Sequence, residues 1–516
     1  MILLVFISVF AIVYYINFRR SRKRLYELAK QIPGPFDYPL IGSLLETIGK
    51  DPLELIARFM ELMHHIPSPM RAWLGPYLIV IVAEPAMVQD ILRSPDCVQK
   101  PDQYHFFRLS KGLFGAPAGL WRKHRKVLNT SFSPAVLKSF VPTLNAKAEE
   151  LSRELNDKVS SECFDVHTLL ARFTLITISS TTLGADLSVE KREVLEEYSS
   201  NAAEMFTSCF ERIYKTWLYP EFVYRMTSAF KEEQTRFKLF KQMSLKIINM
   251  RQGIQSPCKS QDELQDSDPE DKQELPRGKN FIERLEEMSH DPANDIDEDG
   301  FQQHIDTMMF AGNDTSAQTL SNAMLALGMY PDWQEKVYQE IMDIAPTGPI
   351  SYEDLSKLTY MEMFLKETLR LLPITGLIAR LPTKEVQAQH VTIPPGAIVL
   401  IPFLKIHRDK TIWGPDAELF NPDNFLPERC AQRHPYAYIP FSQGPRNCIG
   451  MKYAWISMKI FLCHVVRQYR IATDIKLSDI KFSLSLIMKL NTKHLIRLER
   501  RSAPSSDEVI CNSNSK

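Results

Sequence analysis

The chain has 516 residues, of which 44% are hydrophobic and 24% charged, enough to build a large buried core. Lys+Arg and Asp+Glu both number 62, a balance that argues against nucleic acid or a polyanionic substrate. The eight cysteines are scattered and none forms a C-x-x-C pair, which leaves zinc and thioredoxin-like chemistry without support and suits a reducing, cytosol-facing compartment.

Ile2 to Ile16 is uncharged and almost wholly apolar, Phe18 extends it, and Arg19, Arg20, Arg22, Lys23 and Arg24 follow. No charged residue precedes the run and no small-residue cleavage site follows, so a retained anchor (1–18) is favoured over a cleaved signal peptide. The cations read as a stop on the cytosolic side, and Pro33, Pro35 and Pro39 as a hinge, giving a basic and Pro-rich segment over 19–45. Tyr77–Val82 reads as a strand, a helix starts near Pro85, and 104–120 is loop-like and aromatic.

Trp121 and Arg125 lie four apart on a helical pattern and share a face; Lys126 or His124 could add charge there. Residues 140–250 read mostly as amphipathic helix, interrupted at Trp217-Leu218-Tyr219-Pro220, for which bilayer contact and a buried loop are both open. Residues 253–278 are polar and charged, the composition of a disordered surface loop. A long helical pattern then carries Gly312, Asn313, Asp314 and Thr315 at its middle, residues that weaken a helix. A hydroxyl beside a carboxylate in a locally opened helix can relay protons. Further on, Glu367 and Arg370 are spaced for a salt bridge.

Phe441 to Gly450, FSQGPRNCIG, places Cys448 in a glycine-flanked loop before a helical run, Met451 to Tyr469. Glycines let backbone approach a flat ligand, and N–H groups at a helix start can stabilise a thiolate. Such a thiolate is one of the few axial ligands of haem iron. Phe482 to Leu498 reads as a final hairpin, and 501–516 as a disordered tail.

F-x-x-G-x-R-x-C-x-G, met here by Phe441, Gly444, Arg446, Cys448 and Gly450, resembles the haem-binding loop of cytochrome P-450 monooxygenases. The same family's patterns match at Trp121 and Arg125, at Ala311, Gly312, Asp314 and Thr315, and at Glu367 and Arg370 with Arg429 as third member. The resemblance covers nearly the whole chain and is strongest to the fatty-acid-hydroxylating family 4 group and its insect relatives. It implies a mainly α fold with a small β region: one catalytic domain (46–500) behind the anchor, in the endoplasmic reticulum membrane with the domain cytosolic. Cys448 would bind the iron, Asp314 and Thr315 would deliver protons, and Trp121, Arg125, Arg380 and Arg446 would hold the haem propionates. Glu367, Arg370 and Arg429 would be structural, and His407 structural or propionate-contacting.

Many family 4 members carry, where this chain has Ala311, a glutamate that can bond to a haem methyl; its replacement implies noncovalent haem b. The implied reaction inserts one atom of O2 into an apolar substrate such as a fatty acid, lipid-derived hormone or insecticide. NADPH–cytochrome P-450 reductase would supply electrons, with cytochrome b5 as a further partner, membrane lipid around the anchor, and no nucleic acid. Phe106, Phe107, Leu109, Leu113, Phe114, Met308, Met309, Phe310, Ile374 and Leu377 would line the pocket, although Phe310 and the methionines fit a core equally well. The alternatives are a haem-thiolate isomerase or dehydratase acting on lipid peroxides, whose members often lack the Asp-Thr pair, and a haem- or ligand-sequestering protein.

Overall fold

The computed structural model describes residues 2–38, 40–159, 162–255 and 278–501. It is mainly helical, with a four-stranded sheet on one side. The helical core is organised around one long central helix, Glu298–Met329. Asp297 caps its start by accepting the Gly300 N–H at 2.8 Å, Glu298 and Asp299 complement its dipole, and Pro331 follows its end.

Helix Val166–Thr182 packs along the central helix and is buried on nearly all sides, as its sequence VHTLLARFTLITISSTT requires. Its threonines 174, 177, 181 and 182 return their hydroxyls to carbonyls four residues earlier, which lets polar side chains sit in an apolar core. The contact is closest at Gly312, where a Cβ would come within 2.6 Å of Ile178 Cγ1. The expected local opening is thus corrected: the central helix is continuous through 311–315, and Gly312 serves close packing rather than a break.

In the sheet, Met70–Leu74, Tyr77–Ile81, Ile398–Pro402 and Leu377–Arg380 lie in that order, with only the middle pair parallel. The closing hairpin is shorter than the alternation suggests. Phe482–Ser483 pairs with Lys489–Leu490, while Leu495–Arg500 turns away to pair with Tyr469–Ala472 and Phe164–Asp165.

The segment expected as stop and hinge is partly folded. Helix Lys23–Ala29 puts Leu25, Ala29 and then Ile32 into the core beneath Val80 and Val399, and Arg24 pairs with Glu385. The folded body therefore begins ahead of residue 46. Helix Ile2–Ser21 precedes it with Arg19 and Arg20 in its last turn; among the described residues no helix is long and apolar enough to cross a membrane. Of the two segments expected to be disordered, 256–277 and 502–516 lie outside the described residues.

Candidate active site

The loop before helix Met451–Gln468 is held by its own backbone. Cys448 N–H donates to Phe441 O at 3.0 Å and Asn447 N–H to Gly444 O at 3.2 Å. Gly444 has φ +77°, and a Cβ there would collide with the Leu92 carbonyl, so only glycine fits. Gly450 caps the helix; a Cβ there would meet only Cys448 Sγ, at 4.0 Å. The Phe441 ring packs on Trp455 at 5.9 Å.

Cys448 is solvent-accessible, yet protein surrounds it closely enough that burial is the main influence on its thiol, raising its pKa. An accessible thiol in a protein-enclosed setting is one that faces a cleft or internal space. The Gly450 N–H and the nearby Arg125 guanidinium act the other way and favour thiolate.

Around this loop stand cations without anions. Arg125 donates from Nη1 and Nη2 to Asn447 O and Oδ1, both at 3.0 Å. Arg446 donates to Val98 O at 2.9 Å and Ala116 O at 2.6 Å, and its buried Nε finds no partner. Among the described residues Arg380 donates only to Ala379 O, and Lys100 Nζ donates only to Phe114 O, at 2.6 Å. Trp121 is buried with its ring 5.1 Å from the Arg446 guanidinium.

Among the described residues none of these four cations has a carboxylate partner. Burial first, and then Arg380, hold Arg446 down to about 9; burial, Arg446 and Arg380 hold Lys100 well below its ordinary value. Like charges gathered in this way, two buried and two half-buried, are stabilised by an anion among them. Lys100 and Asn447 escaped the sequence reading, because a single lysine before a proline and an asparagine beside a cysteine carry no periodic or motif signal.

On the central helix, Ala311, Gly312, Asp314 and Thr315 are half-buried, while Asn313 points into the core and bonds Thr174 and Ser199. Thr315 Oγ1 donates to Ala311 O at 2.6 Å. Burial pushes the Asp314 carboxyl up to about 6, with Lys489 pulling it back. A carboxyl and a hydroxyl on adjacent residues, one able to hold a proton near neutrality, form a proton-transfer pair.

Glu367 and Arg370 form a fully buried pair on helix Thr359–Leu371. The expected third member is corrected: Arg429 is exposed on the short helix Pro427–Ala431 and makes no bond to Glu367. The remaining Glu367 bonds come instead from Asn421 N–H at 2.7 Å and Asn424 Nδ2 at 3.2 Å. Arg433, one turn beyond Arg429, lies over the Trp413 ring and donates to Asn424 O. His407 is buried and held down to about 3 by burial, Arg370 and Arg408; it accepts the Ile439 N–H, a structural position. His124 is not a surface cation either: it is buried against His304 at 2.9 Å.

An apolar cavity of about 200 Å³ lies between the sheet and the helices. Phe107, Leu377, Leu484 and Leu486 line it, as does Tyr219, while Trp217 is exposed. Met309 and Phe310 are core instead, with the Phe310 ring stacked on Phe206 at 3.4 Å. The inner end reaches the cations: Tyr104 lies 4.4 Å from Lys100 Nζ, and Ala379 adjoins Arg380.

The donor set fits haem: one accessible sulfur that can be a thiolate, a glycine leaving room beside it, and four cations, Arg380 and Arg446 buried and Lys100 and Arg125 half-buried, that lack carboxylates. Fold and site together define a haem-thiolate protein. The chain belongs to the cytochrome P-450 family, whose model matches residues 32–496. It is 33% identical to the probable cytochrome P-450 313a1 of Drosophila melanogaster, over 95% of this chain and 97% of that one. It is 30% identical to cytochrome P-450 4c21 of Blattella germanica, over 92% and 94%, and 30% identical to cytochrome P-450 4V2 of Pongo abelii, over 90% and 89%. It is accordingly a haem-thiolate monooxygenase, an oxidoreductase that binds haem b noncovalently.

Proposed function

We propose that Cys448 supplies the axial thiolate, that Lys100, Arg125, Arg380 and Arg446 pair with the two propionates beside Trp121, and that the substrate is an apolar small molecule entering through the cavity above. When bound, the haem supplies O2 binding and O–O cleavage. The polypeptide does the rest. The Gly450 N–H and Arg125 stabilise negative charge on Cys448 Sγ. Asp314 carries a proton on its carboxyl and Thr315 passes protons through Oγ1. Leu377, Leu484 and Phe107 exclude water from the substrate.

Electrons come from NADPH through a separate reductase, with cytochrome b5 as a second donor. Helix Ile2–Ser21 associates with the endoplasmic reticulum membrane: Leu3, Phe6 and Phe10 are each at least 70% exposed, an apolar surface that water does not favour. The catalytic domain faces the cytosol and, as a unit, extends to about residue 500. The observation that carries this reading is the accessible Cys448 thiol beside four cations, two buried and two half-buried, that lack anions among the described residues.

The reduced, CO-treated protein should show a long-wavelength Soret peak that Cys448→Ser abolishes. With reductase, NADPH consumption should yield oxygenated product. Turnover of a lipid hydroperoxide without NADPH would point to an isomerase instead, and tight ligand binding with no turnover to sequestration.

A further inference from the structure

The cavity walls are apolar, and among its lining residues only Glu46 and Arg58 are charged. Each side chain is about a third exposed, at 33% and 32%, which puts them at the mouth rather than the inner end. Arg58 lies on helix Pro52–His65 and Glu46 closes the turn before it. The guanidinium is already occupied. Nε donates to Glu46 Oε2 at 2.8 Å, Nη2 to Glu46 Oε1 at 3.3 Å, and Nη1 to Glu61 Oε2 at 2.8 Å.

A two-point pair to one carboxylate and a third bond to another use the fork a substrate carboxylate would need. Arg58 and Lys50, which is close enough to act on Glu46, together balance the two carboxylates of Glu46 and Glu61. The mouth therefore offers no unoccupied guanidinium fork. An arriving carboxylate would have to displace Glu46 from that fork.

On the reading that this cavity receives substrate, we infer that Glu46 and Arg58 make the enzyme selective for uncharged apolar substrates over fatty-acid carboxylates. Glu46 acts here as the specificity-determining residue, by keeping Arg58 neutralised.

The test uses the full-length, haem-loaded protein and a matched pair of ligands, dodecanoate and methyl dodecanoate, with affinities from equilibrium dialysis. Wild type should bind the ester at least about tenfold more tightly. Glu46→Gln should bring the two within about twofold by tightening dodecanoate while leaving the ester unchanged. Equal wild-type affinities, or a gap that survives Glu46→Gln, would overturn the inference. Should the variant fail to fold, the wild-type preference decides alone. Ester-selective binding without NADPH-driven product would count against the monooxygenase reading while leaving the selectivity standing.

Discussion

Glu367 and Arg370 face each other through two 2.7 Å bonds with neither side chain exposed at all. The free end of the guanidinium reaches the carbonyls of His407, Ala417 and Leu419, and the other side of the carboxylate accepts from Asn421 and Asn424. One buried ion pair thereby ties the helix 359–371 to the segment leading to the cysteine loop. Glu367→Ala leaves Arg370 charged and buried without its partner. We expect a loss of about 3–5 kcal/mol and a protein that does not retain haem, read by chemical denaturation and by haem content. Arg429→Ala, in contrast, should leave both unchanged, because that side chain is in solvent.

Thr315→Ala removes a hydroxyl bonded only to the Ala311 carbonyl, so stability should change by less than about 1 kcal/mol. Proton delivery should suffer far more: product per NADPH falls by on the order of tenfold or more while hydrogen peroxide per NADPH rises. Unchanged coupling would remove Thr315 from the relay.

Asp314 gives a pH dependence with a definite sign. Its carboxyl titrates near 6 in the fold against an ordinary 3.8, so between those values the folded state holds the extra proton. Ionisation therefore costs stability as pH rises, and the cost is complete above pH 6. Asp314→Asn should stabilise the protein by about 3 kcal/mol above pH 6, less at lower pH, and not at all below 3.8. Thermal denaturation across that range reads it. The same variant should lose coupled turnover, a gain in stability at the expense of function.

Lys100, Arg125, Arg380 and Arg446 repel one another until an anion joins them. Lys100→Met should stabilise the haem-free protein, visible as a higher unfolding midpoint. It should also release haem from the loaded protein about tenfold faster, followed by transfer to an acceptor. A haem-free form no more stable than wild type would mean that Lys100 is not part of the charged cluster.

What was legible in the sequence follows physical lines. The central helix, the cysteine helix and the strand at 77–81 are continuous patterns of local residues, and local patterns survive reading. The cysteine loop was legible because Gly444 is forced by geometry, as its approach to Leu92 demonstrates. Arg429 misled because Arg433, just past the end of the helix Pro427–Ala431, turns inward while Arg429 stays in solvent, and motif spacing does not resolve the difference. Lys100 was invisible because its meaning lies in Arg446 and Arg380, distant in sequence. The Glu46–Arg58 pair is hidden for a related reason: twelve residues separate a turn from a helix, and only the fold sets both at a cavity mouth.

Ala311 decides how the cofactor is held. It is half-buried, one residue before the glycine that packs on Ile178, and its carbonyl receives the Thr315 hydroxyl. An alanine offers no oxygen for an ester, so acid–solvent extraction should strip all haem from the wild-type protein. Ala311→Glu restores a carboxylate at this position while the backbone carbonyl, and thus the Thr315 bond, stays in place. After turnover a fraction of the haem should then remain on the denatured polypeptide, detected as a mass increase of the intact chain. Complete extraction from a catalytically cycled Ala311→Glu protein would show that the side chain at 311 does not reach the macrocycle's edge.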